Sequence, residues 1–146
     1  MARSKLEFPD GFSSKAFVCS IPVRITDINY GNHVGNDSIL SLLHEARMQF
    51  LRQHGYTELQ FAGTGLIMSD VTIEFKSELF YGDTALASVA AAECGKVGFE
   101  LYYKLEKEVE GKRISVANAR TTMICFDYSK KKIAPLPEEA KVKFGG

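Results

Sequence analysis

The stretch from Arg24 to Arg47, RITDINYGNHVGNDSILSLLHEAR, admits few folds. It begins as an apolar extended run, crosses a short loop dense in polar side chains, and enters an unusually apolar helix. Ile39, Leu42, Leu43, Ala46 and Phe50 follow three-four spacing and form one stripe, which Leu40, Met48 and Leu51 widen. The spacing predicts a helix from Ser38 to about His54, capped by Asp37 or Ser38 and ended at Gly55, where a left-handed residue is often needed. A chain of 146 residues can hide so wide an apolar surface only by curling a sheet around it.

The rest of the chain supplies that sheet. From Phe17 to Ile25 the odd positions are apolar, a period of two, with Pro22 suited to an edge strand or a bulge. Ile67, Val71, Ile73 and Phe75 alternate with polar residues in a second strand. Asp83 to Glu93 makes a third, ending at a turn near Gly95 and Lys96. Phe99, Leu101, Tyr103 and Leu105 mark one face of a fourth, and a turn at Glu110-Gly111 leads into a fifth from Arg113 to Asp127. The expectation is a single α+β domain over residues 1–146, an antiparallel sheet of at least five strands around one helix. Residues 1–15 read as a loose arm, and the C-terminal segment as a short strand and a turn of helix.

Composition removes several function classes. Eighteen basic and 18 acidic side chains leave no net charge, against the basic surplus of a nucleic-acid binder. No apolar run approaches the roughly 20 residues that cross a bilayer, and the charged N-terminal segment has no apolar core of a secretory signal. Cys19, Cys94 and Cys125 are an odd, widely spaced set without metal-ligand spacing, so they read as buried thiols of a cytoplasmic protein. No His, Cys, Asp or Glu spacing suggests a metal site, and no glycine motif suggests a nucleotide cofactor.

The polar loop carries the chemistry. Asp27, Asn29, His33 and Asn36 stand within ten residues, with Gly31 and Gly35 letting backbone approach a bound group. Asp27 is either a base or a turn residue hydrogen-bonded to its own backbone. His33 is either a proton shuttle, its unperturbed pKa of about 6.5 suiting that work, or a residue that fixes the loop. Asn36 sits where a helix begins and its main-chain N–H can polarise a carbonyl. Glu45 lies two helical turns further, facing either a cavity or solvent. Arg47 projects between Leu40 and Leu43, and a buried guanidinium needs a carboxylate, for which Asp27 is the candidate. The lysines at 130–132 either touch an anionic ligand or form a plain solvated turn.

Roughly from Phe17 to Pro137 the chain resembles the hotdog-fold thioesterases, in particular the acyl-CoA thioesterases related to 4-hydroxybenzoyl-CoA thioesterase. The resemblance rests on Asp27-Ile28-Asn29, where the family has an Asp-x-Asp pair, and on Asn32-His33-Val34-Gly35-Asn36, where it has a run of the type Gly-His-Val-Asn-Asn. Glu45-Ala46-Arg47 on the helix matches a third element. It implies hydrolysis of an acyl-CoA or acyl-carrier-protein thioester at Asp27, Asn29, His33, Asn36 and Glu45. It also implies no cofactor beyond the coenzyme A of the substrate, and a homodimer or homotetramer joined through sheet edges. The departure is Asn29, which stands where the family's nucleophile or general base is an Asp and which has no ionisable group. Two rivals follow: a non-catalytic acyl-thioester binder, and a hotdog hydratase or dehydratase, whose His-Phe-Pro type of loop has no match here.

Overall fold

Side-chain alternation decides most of the sheet. A computed structural model describes residues 6–145. In chain order they form α1 (Phe12–Lys15), β1 (Phe17–Pro22), a 3-10 turn (Ile25–Asp27), α2 (Asn36–Gln53), β2 (Gly65–Phe75), β3 (Thr84–Ala92), β4 (Gly98–Val109), β5 (Lys112–Asp127), β6 (Lys132–Ile133) and α3 (Glu138–Lys143). The strands lie in the order β1-β3-β4-β5-β2, all pairs antiparallel, with β6 on the end of β5. Phe99, Leu101, Tyr103 and Leu105 of β4 all point into the core, as their alternation predicts. Glu110 and Gly111 both take positive φ (52° and 79°) and join β4 to β5 as a two-residue hairpin.

The concave face holds α2. Leu42, Leu43, Ala46, Phe50 and Leu51 are at most 3% exposed, and they share one core with the inward residues of β3, β4 and β5. The sheet presents small side chains to that core, Ala85, Ala87 and Ala91 on β3, against which α2 packs, and Ala117 and Ala119 on β5. Bulk on the helix thus meets room on the sheet. The opposite side of α2 stays open at Leu40, Ser41, His44 and Glu45. Gly55, with φ of 84°, follows the helix end as expected. Among the described residues no helix is long and apolar enough to cross a membrane.

Three expectations need correction. The helix starts at Asn36, not Ser38, and Gly35 occupies the cap position in place of Asp37 or Ser38. The cause is tertiary: Val34 donates its N–H to Leu79 O at 2.8 Å, which delivers the chain extended to Gly35. The first strand stops at Pro22, because the chain turns at Asp27, and Ile25 is left exposed. The arm is packed where it is described. The Phe8 and Phe12 rings meet tilted, centroids 4.7 Å apart, over Ala90, Ala92 and Tyr102 on the convex face, and Leu6 N–H donates to Glu74 Oε2 at 2.9 Å. Residues 1–5 of the expected arm lie outside the described residues.

Candidate active site

Three segments meet at the head of α2: the 3-10 turn, the loop from 28 to 35, and a wall formed by residues 78–83. Asp27 is buried under the turn. Its Oδ2 accepts the Arg24 N–H at 2.8 Å, and the Arg24 guanidinium lies 3.4 Å from Oδ1. Two hydrogen bonds then close the loop on itself, Asn29 N–H to His33 O at 2.9 Å and Asn32 N–H to Asn29 O at 3.0 Å. Asn32 takes the left-handed conformation this needs, with φ of 65°, which asparagine tolerates better than most residues.

The closed loop aims its side chains. Asn29 Oδ1 accepts the Gly31 N–H at 2.9 Å, an Asx turn that leaves the amide NH2 facing the helix start. Nδ2 lies 3.4 Å from where a Cβ on Gly35 would stand. His33 Nδ1 is 3.3 Å from Val34 O, and its Nε2 is 3.9 Å from Glu78 Oε1. Among the described residues no side chain caps α2, and the first-turn N–H groups, those of Asn36, Asp37 and Ser38, have no partner within the helix. Asn29 thus lies between the His33 ring, which it meets around Gly31, and the start of α2, which it meets at Gly35.

Gly31 makes this approach possible. A Cβ there would stand 3.2 Å from His33 Nε2 and 3.3 Å from Asn29 Oδ1, tighter than side chains normally pack. Gly31→Ala is expected to push the imidazole aside and lower kcat at least tenfold while thermal unfolding stays close to wild type, since a 1 Å misplacement alone costs about 100-fold. Unchanged kcat would show that His33 has no fixed task.

Glu45 is placed elsewhere. It is exposed, accepts a bond from Gln49 Nε2 at 2.8 Å, and lines a groove of about 190 Å³ between β1 and α2 with Ser20, Pro22, Arg24 and Ser41. Among the described residues no hydrogen bond or ion pair joins it to His33 or Asn29. A larger hollow of about 480 Å³, between Leu59, Gly65 and Tyr128, takes in none of the expected site residues.

Arg47 does not pair with Asp27. Its Nε donates to Glu58 Oε2 at 2.7 Å and its Nη1 to Tyr103 Oη at 3.2 Å. Glu58 and Glu78 were invisible in the sequence, because each meets its partner only through the folded chain. Among the cysteines only Cys125 is fully buried, its thiol pushed up to about 11 by burial. Cys19 and Cys94 are half-buried, and burial raises them too, with Glu45 adding to the effect at Cys19.

Residues 23–144 match the family model described as the Thioesterase-like superfamily. The chain belongs to this family. A 1,4-dihydroxy-2-naphthoyl-CoA hydrolase of Microcystis aeruginosa is 30% identical over 106 residues, covering 70% of this chain and 74% of the relative. A second such hydrolase, from Nostoc punctiforme, is 26% identical over 85% of this chain and 83% of its own length. The fold matches the crystal structure of a 1,4-dihydroxy-2-naphthoyl-CoA thioesterase from Synechocystis with a TM-score of 0.78 at 20% identity, over 89% of this chain and 96% of that one. An aspartate-to-asparagine mutant of 4-hydroxybenzoyl-CoA thioesterase, complexed with 4-hydroxybenzoyl-CoA, matches with a TM-score of 0.80 at 12% identity, over 90% and 99%. The curled sheet around α2 is the hotdog fold of these thioesterases.

Proposed function

We propose that the loop from Asp27 to Asn36 is the hydrolytic site of this thioesterase and that its substrates are aromatic acyl-CoA esters. Hydrolysis of an acyl-CoA thioester is the activity that family membership and the hydrolase relatives support. The observation that carries the site is the convergence of Asn29, His33 and an uncapped helix start. The thioester oxygen accepts the Asn36 N–H and the Asn29 amide, aided by the positive end of α2. A water attacks the carbonyl carbon and gives its proton to His33 Nε2. The tetrahedral adduct collapses, the C–S bond breaks, and the sulfur leaves with that proton as the coenzyme A thiol. Asp27 holds the turn through Arg24, and Glu45 flanks the acyl path in its groove. A thioester is already an activated acyl donor, so no cofactor enters.

The aromatic preference draws on the naphthoyl-CoA relatives and on the exposed rings of Tyr30, Phe80 and Tyr81 around the loop. Free-thiol release from a panel of aromatic and aliphatic acyl-CoAs and acyl carrier protein esters tests it. Highest kcat/KM on an aromatic acyl-CoA is expected. Turnover of none would favour the non-catalytic binder that Asn29 suggests. The separate, unpaired cysteines fit the reducing cytoplasm.

The protein works as a homodimer in this reading. β2 is an 11-residue outer strand, and Met68 and Phe75 on it are more than a third exposed. Such an edge needs cover, whereas β1 at the other edge is short and carries Pro22. Light scattering at micromolar concentration is expected to give a dimer or a multiple of it, and a monomer would sink the edge pairing.

A further inference from the structure

The wall opposite the loop contains a carboxylate to which neither the motif nor the family match gives a task. Glu78 Oε1 stands 3.9 Å from His33 Nε2, the nearest approach of any carboxylate to that ring among the described residues' ion pairs. The wall that carries it is held at several points. Lys107 reaches from β4 to donate to Glu78 O at 2.6 Å and lies 3.6 Å from Asp83 Oδ2. Asp83 Oδ2 accepts the Phe80 N–H at 2.9 Å, and the Lys107 ammonium sits 5.2 Å above the Phe80 ring. The wall then grips the loop by its backbone, through Val34 N–H to Leu79 O and a bridge between His33 and Phe80. Glu78 is thus presented to His33 from a fixed support, although its own side chain is largely exposed.

The two ring nitrogens have different neighbours. Nδ1 faces Val34 O and so carries hydrogen in the neutral ring, which leaves Nε2 as the nitrogen that takes a proton. We infer that Glu78 is a positioning residue for hydrolysis: at 3.9 Å, too far for a hydrogen bond, its carboxylate acts on His33 by charge and stabilises the imidazolium formed when Nε2 receives the water's proton. The inference rests on the reading of this loop as the hydrolytic site. A carboxylate here meets part of the gap left by Asn29, since it favours the charged ring by simple attraction. The other ionisable groups on the elements packed at this point are Asp83 and Tyr81 on the wall, Lys107 on β4, Tyr30 in the loop, Arg24 and Asp27 at the turn beneath it, and Asp37 at the helix head.

Glu78→Gln keeps the shape and removes the charge. The test is steady-state and single-turnover hydrolysis of the best acyl-CoA by wild type, E78Q, H33A and the double variant, at low salt and at about 1 M salt. E78Q is expected to lower kcat about fivefold to tenfold at low salt with KM unchanged, the effect of one charge about 4 Å away near solvent. The deficit shrinks at high salt, where the Debye length is only about 3 Å, which a merely structural role would not produce. Glu78→Asp recovers part of the rate, and E78Q adds no loss to H33A. A fully active E78Q beside a slow H33A, a deficit that ignores salt, or equal losses with and without His33 would overturn the pairing. Wild-type turnover by H33A would overturn the reading of the loop itself, and is told apart by that single variant.

Discussion

His33→Ala is expected to lower kcat by about 100-fold or more, the usual contribution of a positioned acid–base group. The variant stays folded, because the imidazole is partly exposed and belongs to no part of the apolar core. Asn29→Asp is the sharper companion. Restoring the acid that the family pattern carries at this position removes the amide donor beside Gly35 and puts a negative charge where the oxyanion develops. A Cβ on Gly35 would stand only 2.8 Å from Asp37 Oδ1, so a second acidic group is already close. The expected result is a fall in kcat of at least tenfold, somewhat below the cost of losing a whole oxyanion donor. A rise would show that this position serves better as a base and that Asn29 is no donor. Asp27→Asn separates holding from proton transfer: an amide still accepts the Arg24 N–H, so a loss below tenfold is expected. A 100-fold loss there would return Asp27 to the chemistry.

The parts of this molecule legible in its sequence are those governed by local periodicity. Phe99, Leu101, Tyr103 and Leu105 alternate because one face of β4 lines the main core, and the Ile39–Phe50 stripe repeats because α2 lies on that face. The loop was legible for a related reason, since Asn29, His33 and Asn36 fall within eight consecutive residues. Glu78 was not, because it reaches His33 only after Lys107, on another strand, has fixed the wall. The helix start was misread for the same cause: Leu79, far along the chain, sets the direction in which Gly35 enters. The segment read as a loose arm packs instead, because the small Ala90 and Ala92 leave a seat for Phe8 and Phe12, which are too few to make a period.

Arg47→Ala is expected to be the most destabilising single change outside the apolar core. The Arg47 side chain is 6% exposed and joins α2 to Glu58 on the following loop and to Tyr103 on β4. Tyr103 in turn shares a 2.8 Å hydrogen bond with Thr121 on β5, and His44 Nε2 lies 3.0 Å from the other Glu58 oxygen. Removing the guanidinium takes one partner each from Glu58, which keeps His44, and from Tyr103, which keeps Thr121, so the cost is about 3 kcal/mol, the low end for breaking a buried pair. That is a large share of the roughly 5–15 kcal/mol that keeps a domain folded. Arg47→Met paired with Glu58→Leu removes both charges and is expected to recover most of the loss, since a well-packed apolar pair often equals a buried ionic one. The network also sets an acid limit. Burial alone would raise the Glu58 carboxyl, but Arg47 and His44 outweigh it and hold it below its ordinary value. A lowered folded pKa means that the stabilisation is complete above the unfolded value of about 4.3 and is lost as pH falls through the folded one. Urea midpoints measured from pH 7 down to pH 3 should therefore fall in wild type, and fall less in Glu58→Gln, which starts lower. Parallel curves for the two proteins would show that Glu58 gains nothing from its partners.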